Sequence, residues 1–156
     1  MRPARVIIAT LWILFLAVAS IKIEAISGMR FNLCLAALVA LSFFLAADEI
    51  CFTGAWALLL LTAAPLPTLE GILYLALPFV ALVVRHGFPL KRWLNAMGAA
   101  WIAVVIFSAT VNYAFVAASP LWVALDASVG ALVAGAVFQS MEWAYHEEHV
   151  RRMIGV

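Results

Sequence analysis

Asp126 is the residue whose chemistry first demands an account. It stands in the run 121–145, which is otherwise mostly apolar. A carboxyl group there is costly in hydrocarbon, so it must face the interior of a bundle and find a partner. The turn signal Ser119-Pro120 supplies a candidate. Asn112 lies seven residues before Ser119 and Asp126 seven after it, so an antiparallel hairpin sets the two at similar depth. The spacing predicts an Asn112–Asp126 contact. Such a pair can serve a ligand, ion or proton site. It can equally fix helix packing, where a membrane hydrogen bond is worth about 0.6 kcal/mol on average.

Other reactive residues read more plainly. His146-Glu147-Glu148-His149 is not the H-E-x-x-H zinc pattern, and nothing nearby supplies further ligands. Glu147–Arg151 and Glu148–Arg152 instead have the i,i+4 spacing of helical ion pairs, as expected of a solvated helical tail. Cys34 and Cys51 both sit in apolar runs and read as small buried hydrophobes, with no metal spacing between them. Asp48 and Glu49 interrupt the apolar pattern with no basic neighbour. They read as a solvated turn or as a contact point for a basic partner segment. No nucleophile with its base, no carboxylate pair and no Gly-rich phosphate loop stands in the sequence, so a non-enzymatic role is expected. No metal or cofactor is expected either.

The elements that must position these residues are membrane helices. The chain has 156 residues, 68% hydrophobic and 11% charged, with a mean hydropathy of +1.14. A soluble domain carries about 25% charged residues, so this chain needs lipid as its solvent. Its nine Lys and Arg are scattered and give no basic face for nucleic acid. The apolar runs predict an all-α bundle of six transmembrane helices in a single domain, at 6–23, 31–47, 50–64, 69–84, 93–118 and 121–145. A polar tail at 146–156 continues the last helix into water. The third and fourth spans are short, which leaves a re-entrant pair open. Pro65-Leu66-Pro67-Thr68 divides them, Thr68 can cap the fourth, and Pro78 should kink it. Val6 to Ala19 looks like a signal sequence and reads as a retained first span. In the last span Ala127, Gly130, Ala131, Ala134 and Gly135 form a small-residue face that lets a helix approach closely, within the bundle or from a partner.

Orientation follows from Lys and Arg in alternate loops. Six spans place Arg2, Arg5, Arg85, Lys91, Arg92, Arg151 and Arg152 on one side, and Lys22 and Arg30 on the other. Both termini are therefore expected in the cytoplasm. Arg85, Lys91 and Arg92, with His86, are expected to anchor on anionic lipid of the inner leaflet.

Two stretches resemble the MreD family of rod shape-determining membrane proteins. One is Gly28-Met29-Arg30-Phe31-Asn32-Leu33, opening the second span. The other is Pro120-Leu121-Trp122-Val123-Ala124-Leu125-Asp126-Ala127-Ser128-Val129-Gly130-Ala131-Leu132, opening the last. Length, layout and orientation agree. The resemblance implies a multi-pass scaffold or regulatory subunit of the elongasome, the peptidoglycan-synthesis machinery that sets cell shape, in the bacterial inner membrane. Its partners would be an MreC-like single-span protein and, through it, a RodA-type glycosyltransferase and its transpeptidase. The layout is also similar to the substrate-binding S subunits of energy-coupling-factor transporters. The second expectation is thus a vitamin- or metal-binding transport subunit with a polar outer cavity lined by Asn112, Asp126 and Tyr113.

Overall fold

The computed structural model describes residues 3–61, 69–85 and 91–154, with side chains over 5–60, 69–85 and 91–146. The expectations placed on Arg2, Pro65 to Thr68, His86 and the side chains of Glu147, Glu148, His149, Arg151 and Arg152 lie outside these. The described residues form seven helices and no strand. They are α1 (Pro3–Ser27), α2 (Leu33–Leu41), α3 (Ala47–Leu61), α4 (Leu69–Val84), α5 (Arg92–Val111), α6 (Tyr113–Ala118) and α7 (Pro120–Ile154).

The chain is an all-α membrane protein. Arg5–Ser27, Arg92–Val111 and Pro120–His146 are each long and apolar enough to cross a bilayer. The outward face of α1 carries Ile7, Leu11, Leu14, Phe15, Val18 and Ile21, all exposed. Such a surface is stable only against lipid or another apolar partner.

Local chemistry sets the ends of these helices. α1 stops at Gly28, whose φ of +69° is the left-handed conformation that glycine adopts without strain. Its N–H donates to the Glu24 carbonyl at 2.8 Å and closes the helix. α7 starts on Pro120, where the missing N–H costs nothing because a first-turn amide has no helical acceptor. α4 runs through Pro78 as one helix.

Four boundaries differ from the sequence expectation, the first being α1, which runs to Ser27, past the expected end at 23. The second span is not a regular helix over 31–47. Its α-helix is nine residues long and all nine are buried. The amides of Phe43, Phe44 and Leu45 continue it as tight turns onto the carbonyls of Ala40 and Leu41. α3 then begins at Ala47, so Asp48 and Glu49 occupy its first turn instead of the loop before it. The expected helix 93–118 breaks at Asn112, whose φ of −145° and ψ of 68° leave the helical region. α5 ends there and the six-residue α6 follows.

α2 is the centre of the bundle, packed by α1, α5 and α7 and more lightly by α3 and α4. Its sequence, Leu-Cys-Leu-Ala-Ala-Leu-Val-Ala-Leu, is apolar all round because it faces protein on every side. The broadest contact is between α5 and α7. The small-residue face of α7 makes it: Ala127, Gly130, Ala131, Ala134 and Gly135 are all buried. A Cβ added at Gly130 would lie 3.2 Å from the Ala36 Cβ and 3.4 Å from the Val104 Cγ2. This face therefore serves the bundle and is closed to a partner helix.

Contacts define two ends. At one, Arg30 meets Glu70 and Asn32 meets Asp126; this is called the Asn32 end below. At the other, the Arg5 guanidinium lies 3.4 Å over the Tyr145 ring. There the Tyr145 hydroxyl donates to the Phe44 carbonyl, and Arg85 donates to the Ser42 carbonyl at 3.0 Å.

Candidate functional site

The site lies at the start of the short, buried helix α2. α2, at nine residues, is about 14 Å long, whereas the 25 residues of α1 extend about 37 Å. The segment Gly28–Asn32 ahead of α2, with residues of α4, α5, α6 and α7, surrounds a recess over the start of α2. At the Asn32 end there is indeed a cavity of about 540 Å³.

Its most buried polar groups are Asn32 and Asp126, each 9% exposed. The Asn32 backbone N–H donates to Asp126 Oδ1 at 3.0 Å, and the Asn32 Nδ2 donates to Oδ2 at 2.8 Å. Asn32 stands at the N-cap of α2 and makes no side-chain cap of its own. Asp126 thus reaches across from α7 to satisfy one amide at the start of a buried helix, where the helix dipole favours an anion. One side chain solves two problems: a buried carboxyl gains two donors and a buried N-terminus gains an acceptor.

The expected Asn112–Asp126 contact does not form. Both residues line the cavity, so the hairpin argument places them at the same end. Asn112, however, is exposed and accepts the Phe115 N–H at 3.1 Å, capping α6. The helix breaks at Asn112, and its side chain is used to cap α6. Tyr113 is 75% exposed and does not line the cavity. The actual partner, Asn32, was visible in sequence as a polar side chain opening an apolar run. Nothing there revealed its distance from Asp126 across 94 residues.

Above the floor, Arg30 and Glu70 approach to 3.8 Å, with their side chains about half and a third exposed. Phe31, Phe107, Phe115 and Trp122 contribute aromatic wall. Phe107 is held edge-on by Tyr74, centroids 5.2 Å apart, which ties α4 to α5 beneath the cavity.

At the opposite end three expectations change. Glu49 is 6% exposed, and its Oε2 accepts the Ala46 N–H at 3.1 Å. It caps α3 and is not open to a partner; Asp48 beside it is exposed. Arg85 is half-buried and holds the Ser42 carbonyl, so it staples the α2–α3 turn. Lys91 and Arg92 are exposed. Both cysteines are free, but only Cys34 is buried while Cys51 is exposed.

No protein-family model, no curated protein and no solved structure matches this chain.

Proposed function

We propose that this chain is a non-enzymatic subunit of the bacterial inner membrane, crossing it six times with both termini in the cytoplasm, and similar in role to MreD. It acts by contact with an MreC-like single-span protein and, through it, with a RodA-type glycosyltransferase and its transpeptidase. Asp48 and the lipid-anchoring Lys91 and Arg92 lie on the cytoplasmic side in this reading. The observation that carries it is the Asn32–Asp126 pair. The most conspicuous ionisable group in the bundle bridges α7 to the start of α2, as a packing determinant would. Purification from native membranes in a mild detergent is the test. Co-elution of an MreC-like protein with wall-synthesis enzymes is expected; elution without any of them contradicts the role.

A second reading is favoured by the cavity at the Asn32 end, which the six-pass orientation directs outward. A transport subunit of the S type holds its substrate in such a place. In that case a small molecule is retained through purification and is identified by mass spectrometry of the denatured protein. A preparation free of any such molecule, and unable to bind one, removes this reading.

A further inference from the structure

We infer that the cavity at the Asn32 end takes an amphipathic organic cation, a protonated amine on an apolar body, with Asp126 as its counter-charge. The inference rests on the small-molecule reading just given and names its ligand class.

Charge is the first ground. A buried ionised group requires an opposite charge or very good hydrogen bonding. Among the described residues Asp126 makes no ion pair. Its two oxygens each accept one bond, both from the amide groups of Asn32. A carboxylate has about four lone-pair positions, so room remains for a donor from the cavity. Among the described residues the lining holds one cationic side chain, Arg30, and Glu70 already faces it. With Asp126 in its ionised form, the described lining sets one guanidinium against two carboxylates, and a bound cation supplies the missing positive charge.

The walls decide what carries that charge. Phe31, Phe107, Phe115 and Trp122 line the cavity, and the negative faces of aromatic rings attract ammonium groups. A volume of about 540 Å³ is far more than a bare ion fills and falls within the range of roughly 300–1,000 Å³ typical of small-molecule sites. An anion would face Asp126 with no free cation to meet it.

The amine can come from a free solute or from a lipid headgroup, and the test separates the two. The full chain is placed in phosphatidylglycerol nanodiscs. Radiolabelled 2-phenylethylammonium, 3-phenylpropionate and 2-phenylethanol are compared by equilibrium dialysis. The ammonium probe is expected to bind at least tenfold more tightly than the alcohol, and the carboxylate more weakly than either. Asp126→Asn should reduce the ammonium preference to under twofold while the alcohol still binds. Glu70→Gln, at the exposed rim, should lower it in part, and serves if Asp126→Asn does not fold. Glu142→Gln, exposed and far along α7, should leave it unchanged. Displacement of the probe in phosphatidylethanolamine nanodiscs assigns the amine to lipid; undiminished binding assigns it to a solute. Equal binding of alcohol and ammonium, or preference for the carboxylate, overturns the cation assignment and leaves the small-molecule site standing. Binding of no probe overturns both.

Discussion

At the scale of single residues, the account turns on what Asp126 touches. Its pairing with Asn32 predicts a measurable coupling. In a double-mutant cycle of Asn32→Ala and Asp126→Ala, read by unfolding in detergent, the coupling should be about 0.6–1.7 kcal/mol, the span seen for membrane hydrogen bonds. The same cycle with Asn112→Ala should give none, since Asn112 is spent on Phe115. Glu49→Ala should destabilise by about 1 kcal/mol, the usual cost of a lost helix cap, because it frees the Ala46 amide. Asp126 itself was legible in sequence, since an ionisable group in an apolar run must be accommodated. Its partner was not. Counting residues from a turn yields depth along a helix, but not which side of the helix faces which neighbour. The backbone break at Asn112 spoils that count further. Glu49 misled for a related reason. An acidic pair next to a turn looks solvated, yet the first turn of a helix directs one of its two carboxylates back onto a free amide.

At the scale of elements, packing distance decides the effect of substitution. Gly130→Val should destabilise by about 1–3 kcal/mol, because its new methyls must displace Ala36 of α2 and Val104 of α5. Gly98 on α5 is the contrast. Nothing lies within 4 Å of an added Cβ there, so Gly98→Ala should stabilise by up to about 1 kcal/mol through helix propensity. Thermal unfolding of the two variants side by side checks both signs. Helix α4 was legible with its bounds, 69–84, whereas α3 starts three residues before the expected 50 and takes Asp48 and Glu49 into its first turn. The shortness of α2 was not legible. Hydropathy scores a residue alike whether it faces lipid or protein, so a continuous apolar run does not reveal where its helix relaxes into turns. The small residues of α7 did announce close approach, but only the neighbouring Ala36 and Val104 show that the approach is internal.

At the scale of the whole molecule, the described helices join two ends of different character, and the proposed six passes run between them. One end is closed by Arg5, Tyr145, Phe44 and Arg85 around the α2–α3 turn; the other is recessed over Asn32 and Asp126. The proposed orientation, drawn from the distribution of Lys and Arg, puts the closed end in the cytoplasm and the recess outside. Composition alone reveals the membrane class. The cavity was anticipated only as a consequence of one functional alternative, because a void belongs to the packing of several elements and no single residue encodes it. The most direct test of this arrangement is labelling of intact cells by a membrane-impermeant maleimide, in a Cys34→Ala, Cys51→Ala background carrying one of four substitutions: Ser27→Cys, Ser119→Cys, Lys91→Cys or His146→Cys. Ser27→Cys and Ser119→Cys, beside the recess, should label from outside. Lys91→Cys and His146→Cys should label only after the membrane is opened. External labelling of either of the last two, or protection of either of the first two, would contradict the six-pass account and the outward cavity together.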